Sequence, residues 1–329
     1  MRALGLIVLI AALGPLGTAG ASEVVVYTAR HYGQEPAIEA FTKKTGIQVK
    51  LLAGSTGELF ERLKAEGDKT PADVLLTVDA GNLWNAARAG LLSKIDSPEL
   101  ASNVPPSLRD PDNRWFGLTV RARTIMYNTT KVKPAELSTY EALGDPKWKS
   151  RLCLRTSGYI YNQSLLATMI KRHGEAKTEE IARGWAANNP VLINSDAKIL
   201  EGIAAGQCDV GVTNHYYLAR IVAKDPVFPV LPFWANQQTT GTHVNVSGAG
   251  VTAHAKNRAN AVKFLEFLST AEAQQMFADV AFEFPANPQA SVNPIVAKWG
   301  KFKQDHINIP AAGEFQAAAT RLADRAGYK

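Results

Sequence analysis

Strand-like and helix-like segments alternate along the first part of the chain, and this alternation limits the folds open to it. Short apolar strands are predicted at Glu23–Thr28, Ile47–Leu52 and Asp73–Val78. Two helix-like segments separate them, Glu35–Thr45 with apolar residues on one side and Glu58–Glu66. Strands joined through helices pair in parallel. The order therefore predicts an α/β fold with a doubly wound sheet.

The remaining chain holds enough further elements for a second lobe. A chain of 329 residues with 46% hydrophobic residues exceeds a typical single domain, so we expect two lobes. The second lobe is predicted to contain strands at Leu152–Arg155, Val191–Asn194 and Asp209–Thr213 and helices at Gln163–Arg172, Thr178–Ala187 and Asp196–Ala205. Later segments are a strand at Gly248–Ala253, a helix at Arg258–Ser269, a loop at Asn287–Lys301 and a terminal helix at Gly313–Ala326.

Two extended segments are predicted to cross between the lobes. Thr119–Asn128 is long and alternating in character, and Pro226–Phe233 is extended and rich in proline. The first lobe is accordingly predicted to comprise residues 22–119 and 244–294, and the second residues 120–243 and 295–329. Clefts between two such lobes are preferred ligand sites.

The N-terminus has the pattern of a signal peptide. Arg2 precedes an apolar run, Leu4–Leu13, and Ala19-Gly20-Ala21 has the small residues of a cleavage site. The run is shorter than the roughly 20 apolar residues that span a bilayer. We therefore predict that residues 1–21 are removed after Ala21 and that the mature protein is periplasmic.

Charge and motifs exclude several classes of function. The formal net charge is +6, but Lys and Arg are scattered, with no basic stripe interleaved with aromatic residues, so nucleic-acid binding is not expected. The positive balance favours an anionic site or an acidic partner. The sequence contains no G-x-S-x-G, H-E-x-x-H or P-loop motif, and we predict that the protein is not an enzyme.

The chain has two cysteines, Cys153 and Cys208, in strand-like segments of the same predicted lobe. Their spacing matches no zinc motif. In an oxidising compartment they are able to pair, and the alternative is two buried free thiols.

Tyrosines follow three of the predicted strands. Five of the nine tyrosines lie in the segments after Glu23–Thr28, Leu152–Arg155 and Asp209–Thr213, namely Tyr32, Tyr159, Tyr161, Tyr216 and Tyr217. His31 and His215 each stand next to one of them. Ligands of open α/β sheets gather beyond the carboxyl ends of the strands. We therefore expect several phenols to meet at one place.

A cluster of phenols suits a hard, highly charged cation. A free phenol has a pKa of about 10, so a metal must displace its proton at neutral pH, and ferric iron is acidic enough to do so. Three phenolates neutralise a trivalent ion, and a fourth leaves a net negative charge that needs compensation. Arg30, Arg121, Arg123 and Arg220 are predicted to balance that charge or to hold a small anion such as carbonate. The alternative is an aromatic cleft that binds a sugar, an amine or a peptide.

Four motifs resemble those of the periplasmic ferric-ion-binding proteins, the bacterial transferrin-like family. They are Y-T-A-R-H-Y, G-S-T-G-E-L, I-Y-N-Q-S-L and N-H-Y-Y-L-A-R. The closest resemblance is to the branch that binds iron with one histidine and four tyrosines, and it spans essentially the whole mature chain. It implies the ligand set His31, Tyr32, Tyr161, Tyr216 and Tyr217. Arg220 resembles an outer-sphere arginine, whereas Tyr159 is expected to form cleft wall and His215 to point away.

The resemblance also implies an architecture and a partner. The expected fold is a type II periplasmic binding protein, a two-lobed Venus flytrap with doubly wound mixed sheets and a hinge of two crossing strands. The expected ligand is Fe(III), with carbonate as an example of a synergistic anion. The expected partner is an ABC transporter permease in the inner membrane, and the protein is expected to be a monomer. The alternative function is binding of a small organic or anionic solute in an aromatic, arginine-lined cleft.

Overall fold

The structure is a computed structural model and describes residues 22–30, 35–305 and 312–329. The predicted signal peptide and the predicted ligands His31 and Tyr32 lie outside the described residues. Within these ranges, no helix has the length and apolar character needed to cross a membrane.

Eleven strands are present in the described residues, and all belong to one connected sheet system. They are β1 Glu23–Thr28, β2 Gln48–Ala53, β3 Val74–Thr77, β4 Phe116–Asn128, β5 Leu152–Leu154, β6 Val191–Leu192, β7 Val210–Asn214, β8 Val230–Phe233, β9 Thr242–Val251, β10 Phe284–Pro285 and β11 Gln304–Asp305.

The helices cover the faces of the sheets. They are α1 Glu35–Thr45, α2 Thr56–Glu66, α3 Ala80–Arg88, α4 Pro98–Asn103, α5 Ile160–His173, α6 Glu175–Ala187, α7 Asp196–Ala205, α8 His215–Val222, α9 Arg258–Ser269, α10 Ala271–Ala281, α11 Pro294–Ala297 and α12 Gln316–Arg325.

The first sheet has the order β2-β1-β3-β9-β4, and the elements around it form the first lobe. Strand β1 pairs in parallel with β2 and with β3, whereas β9 runs antiparallel to both β3 and β4. The sheet is thus doubly wound and mixed, as predicted. Its core includes the buried ring of Phe41, whose centroid lies 5.0 Å from that of Phe264.

The second sheet continues from the far half of β4 in the order β4-β7-β5-β6, and the elements around it form the second lobe. Strand β5 pairs in parallel with β7 and β6, and β7 is antiparallel to β4. Trp148 and Trp185 are almost fully buried in its core. Each sheet therefore has a hydrophobic core of its own.

Strand β4 connects the two sheets, as predicted for Thr119–Asn128. Residues 116–122 pair with β9, and residues 123–127 pair with β7. The second connecting strand is β9, which pairs with β3 and β4 in the first sheet and with β11 at Thr242 and His243. The two lobes are therefore joined by a pair of antiparallel strands.

The prediction that Pro226–Phe233 makes the second crossing is wrong. Only Val230–Phe233 forms a strand, β8, and it pairs with residues 125–128 of β4 inside the second lobe. Proline is tolerated there because β8 lies off the main path of the sheet.

The glycines of β9 allow neighbouring backbone to approach this strand closely. A Cβ atom at Gly248 would lie 2.5 Å from the carbonyl oxygen of Phe116.

Three of the predicted helices begin earlier than the sequence indicates. Helix α2 begins at Thr56 instead of Glu58, α5 at Ile160 instead of Gln163 and α6 at Glu175 instead of Thr178. Helix α8 begins at His215, where only a loop was expected. The helices α3, α4, α10 and α11 were likewise not predicted, and α11 lies within Asn287–Lys301, where a loop was expected. As a result, Tyr161, Tyr216 and Tyr217 lie in the first turns of helices rather than in loops.

Candidate metal centre

Three tyrosines meet in the second lobe. The hydroxyl oxygens of Tyr161 and Tyr216 lie 3.2 Å apart. The rings of Tyr216 and Tyr217 are tilted to one another, with centroids 4.4 Å apart. Tyr161 and Tyr216 are buried, and Tyr217 is half-buried. The structure thus brings together three of the four tyrosines of the predicted ligand set.

The three tyrosines lie together because they follow two neighbouring parallel strands. Leu152 of β5 pairs with Val210 of β7, so the chain leaves both strands at the same edge of the sheet. Helix α5 follows β5 and α8 follows β7, and each carries its tyrosines in the first turn. The phenols therefore lie beyond the carboxyl ends of adjacent strands, where ligands of α/β sheets bind.

A disulfide joins β5 to the segment just before β7, as one of the two sequence-based alternatives predicted. Cys153 of β5 is bonded to Cys208, two residues before β7, with an S–S distance of 2.01 Å. Both cysteines are buried. The bond thus links β5, which leads to Tyr161, to the segment that enters β7, which leads to Tyr216.

Burial favours the protonated form of the Tyr161 phenol when no metal is present. Burial raises the pKa of Tyr161, and the nearby Arg121 guanidinium only partly opposes this effect. Tyr161 is therefore neutral at neutral pH, and its hydroxyl shares a hydrogen bond with the hydroxyl of Tyr216. A cation that binds here must displace these protons.

Two arginines lie beside the tyrosines. The guanidinium carbon of Arg121 is 5.1 Å from the ring centroid of Tyr161, and that of Arg220 is 5.0 Å from the ring centroid of Tyr216. Arg121 is buried on β4 and donates a hydrogen bond to the carbonyl oxygen of Val246. These cations are close enough to stabilise phenolate charge.

Arg123 and Arg30 are held by carboxylates. Arg123 forms a buried ion pair of 2.9 Å with Asp196 and also donates to Asn162, the neighbour of Tyr161. Arg30 forms a buried ion pair of 3.0 Å with Glu283. Their charges are already compensated inside the protein. A role for them in balancing a metal centre stays a prediction, with less support than for Arg121 and Arg220.

Tyr159 lines an open cavity between the lobes. The cavity has a volume of about 520 Å³, and its walls include Thr28 and Ser55 from the first lobe and Tyr159 and Ile160 from the second. The guanidinium of Arg155 packs on the Tyr159 ring, 3.2 Å from its centroid. This place agrees with the expectation that Tyr159 forms cleft wall. Arg155 was not among the site residues predicted from the sequence.

His215 faces main-chain atoms. Its Nε2 donates to the carbonyl oxygen of Phe282 at 2.9 Å, and its Nδ1 accepts from the backbone N–H of Ala122 at 3.2 Å. Burial lowers the pKa of His215 to about 4, so the ring is neutral. Both nitrogens are therefore used, in line with the expectation that His215 points away from the ligand.

Asp79 is a buried carboxylate that contacts both lobes. It caps helix α3 by accepting from the N–H of Gly81 at 2.7 Å, and it also accepts from Ser164 on α5 and from Asn245 on β9. Burial raises the pKa of Asp79, and the nearby Arg121 charge opposes that rise. Asp79 directly follows the predicted strand Asp73–Val78. Its position before α3 is the N-cap pattern that could have indicated this role.

No other arrangement of typical metal ligands competes with the tyrosines in the described residues. These residues contain no group of three or more His, Cys, Asp or Glu side chains that could hold a metal ion. The phenols of Tyr161, Tyr216 and Tyr217 are therefore the candidate donors. That they coordinate a metal ion remains a prediction.

Several known proteins are similar to this chain over most of its length. Residues 36–304 match the family described as bacterial extracellular solute-binding protein. The chain is 44% identical over 317 residues to iron uptake protein A1 of Synechocystis, which covers 93% of this chain and 88% of that protein. It is 29% identical to the Fe(3+)-binding periplasmic protein of Serratia marcescens, over 86% of this chain and 84% of that protein.

A solved structure is similar over nearly the whole chain. The Trichodesmium protein IdiA (FutA), in complex with iron and citrate, superposes with a TM-score of 0.89 at 42% identity, covering 94% of this chain and 100% of that one.

Proposed function

This chain belongs to the bacterial extracellular solute-binding proteins, and we propose that it captures ferric iron between its two lobes and delivers it to an ABC importer. Its fold is the type II periplasmic binding protein fold, in which two lobes are joined by crossing strands. The observation that carries the proposal is the contact between the phenols of Tyr161 and Tyr216, with Tyr217 packed beside them.

The proposed ligand set is divided between the lobes. Tyr161, Tyr216 and Tyr217 provide three phenolates from the second lobe, and His31 and Tyr32 complete the set from the first. Four phenolates around Fe(III) leave a net negative charge, and the proximity of Arg121 and Arg220 supports a role for both in balancing it. Carbonate or another small anion is a further proposed ligand.

The proposed mechanism is capture followed by closure. Ferric ion binds first to the three tyrosines, and closure of the lobes then adds His31 and Tyr32. Because all donors converge only in the closed form, iron shifts the population toward that form. Protons compete with the metal for the phenolates, so acidification favours release. Reduction of the iron or forced opening by the transporter would act in the same direction.

The location and organisation of the mature protein complete the proposal. We infer export to the periplasm with cleavage after Ala21, a monomeric state, and docking on a permease of the inner membrane. The proposed lobes are residues 22–119 with 244–294 and residues 120–243 with 295–329. The absence of catalytic motifs in the sequence supports transport rather than catalysis.

A second candidate function is binding of an organic or anionic solute. The interlobe cavity of about 520 Å³ is far larger than a bare ion, and the half-buried ring of Tyr159 forms part of its wall. An aromatic wall of this kind suits a sugar or an amine.

A ferric titration separates the two candidates. Purified protein is titrated with ferric citrate, and the visible spectrum is followed beside titrations with ferrous iron, citrate alone and a panel of sugars and amines. Phenolate ligation predicts a visible charge-transfer band that appears with ferric citrate. A colourless protein that retains no iron, but binds one of the organic solutes, would contradict the proposed function.

A further inference from the structure

The segment Phe282–Phe284 contacts structures on both sides of the hinge. It leaves helix α10 at Phe282 and enters β10, which pairs with β4 at Thr119 and Val120. Glu283, in the middle, is buried and forms an ion pair with Arg30 as well as a hydrogen bond with Thr119. These contacts anchor the segment in the first lobe.

The same segment holds a histidine of the second lobe. The carbonyl oxygen of Phe282 accepts from Nε2 of His215 at 2.9 Å. The ring of Phe284 stacks on the imidazole, with centroids 4.4 Å apart and planes inclined by 27°. On its other side, Nδ1 of His215 accepts from the N–H of Ala122. The imidazole is therefore fixed by two hydrogen bonds and one stacking contact.

The backbone of Phe282 adopts a conformation that favours this arrangement. Its φ of +60° lies in the left-handed region, where residues with side chains are uncommon. Phe282 ends α10 in this conformation, and its carbonyl group then meets His215. Such a conformation persists where surrounding contacts over-determine it, and it is often found at functional sites.

His215 is the first residue of α8, and the next two residues are Tyr216 and Tyr217. A side chain fixed at the first position of a helix fixes the direction in which that first turn begins. We propose that His215 is a positioning residue, which ties the start of α8 to the segment Phe282–Phe284 and so holds the phenols of Tyr216 and Tyr217 in place for the metal.

This inference rests on the proposed function. It identifies the contacts that connect the two tyrosines of the second lobe to the first lobe. Arg30 and Thr119 hold Glu283 from the first lobe, while His215 holds the flanking residues Phe282 and Phe284 from the second. The positions of Tyr216 and Tyr217 therefore depend on contacts with the first lobe. These contacts run through the backbone of residues 282–284 and the buried Arg30–Glu283 ion pair. Loss of the His215 contacts should loosen the tyrosines without removing any donor.

The test compares three variants loaded with ferric citrate. His215→Leu removes both hydrogen bonds, His215→Gln keeps an amide N–H that is able to donate to Phe282, and His254→Gln is a control at an exposed histidine. The measurements are the position of the charge-transfer band and the rate of iron loss to excess chelator. We expect His215→Leu to lose iron about fivefold faster, the factor that corresponds to one net hydrogen bond, with a shifted band. His215→Gln should recover most of both properties, and His254→Gln should match the unmodified protein.

The outcomes are distinguishable. An unmodified protein without a ferric band contradicts the proposed function. A ferric band in the unmodified protein, with the same band and the same rate of iron loss in folded His215→Leu, overturns the positioning role. If His215→Leu does not fold, Phe284→Leu decides the question, because it removes the stacking contact and leaves the hydrogen bonds of His215 available. Faster iron loss in that variant supports the inference, and an unchanged rate overturns it.

Discussion

Ser164 donates a 2.9 Å hydrogen bond to the carboxylate of Asp79, and this bond crosses from the second lobe to the first. Ser164 lies three residues after Tyr161 on α5, and Asp79 caps α3 at the end of β3. Asn245 of the crossing strand β9 donates to the same carboxylate oxygen. The helix that carries one candidate ligand is therefore bonded directly to the opposite lobe.

Removal of this bond is expected to favour the open form. In Ser164→Ala, Asp79 keeps Asn245 and Gly81 as donors, so the fold should persist while closure weakens by about 1 kcal/mol. Iron should then be lost to excess chelator several-fold faster. The control is Ser291→Ala, since Ser291 is exposed. Equal rates of iron loss in the two variants would show that the bond does not contribute to closure.

The tyrosines are expected to account for the colour of the iron complex. Tyr216→Phe combined with Tyr217→Phe removes two phenolates and keeps both rings, so the ferric charge-transfer band should disappear while the far-UV circular dichroism stays the same. Tyr159→Phe is the matched control, because Tyr159 lines the cleft but is not a proposed ligand. A retained band in the double variant, or a lost band in the control, would move the site elsewhere.

Iron binding is expected to release protons and to weaken in acid. Burial raises the pKa of Tyr161, so its phenol is protonated at neutral pH before iron binds. A phenol has an ordinary pKa of about 10, so each tyrosine that coordinates the metal should release about one proton on ferric loading, and a falling pH should drive the reaction backward. Proton release is measured in weakly buffered solution with a pH indicator. Affinity that does not change with pH would argue against phenolate ligands.

The iron-free protein is expected to lose stability below about pH 6.5, where free histidine begins to take up protons. Burial lowers the pKa of His243 to about 3 and that of His215 to about 4, and the Arg121 and Arg123 charges act in the same direction at His243. Both rings are neutral in either state above pH 6.5, so their contribution is complete there. As the pH falls, the unfolded chain binds protons that the folded chain excludes.

The free energy of unfolding should then fall by about 1.4 kcal/mol per pH unit for each histidine, until the pH approaches the folded-state pKa. Urea unfolding at pH 7, 6 and 5 measures the slope. His243→Asn removes one of the two titrating groups and keeps a polar side chain near Thr168, which contacts His243. The slope in this variant should be clearly smaller, and an unchanged slope would exclude His243 as its source.

The disulfide is expected to stabilise the second lobe. It closes a segment in which the cysteines are 55 residues apart, so the double substitution Cys153→Ala and Cys208→Ala should lower the free energy of unfolding by about 2–4 kcal/mol. Urea unfolding of the oxidised protein and of the double variant measures the difference. Equal stabilities would mean that the buried contacts of the strands suffice without the bond.

Local patterns were enough to predict most of the first sheet and the position of the tyrosines. The strand β1 has the predicted bounds, Glu23–Thr28, because a short apolar run before a helix is compatible with few structures other than a buried strand. The clustering of Tyr161 with Tyr216 followed from a rule about strand ends. The strand β9 was only partly recognised, since Gly248 and Gly250 weaken the strand pattern and are needed for close backbone approach.

The sequence by itself determined that tyrosines gather at one edge of the second sheet, because residue chemistry and strand order are properties of the chain. Only the tertiary structure decided which groups hold those tyrosines. The bond from Ser164 to Asp79 spans 85 residues, and the bond from His215 to Phe282 spans 67. Such contacts depend on how two lobes pack across β4 and β9, and no periodicity in the chain records that packing.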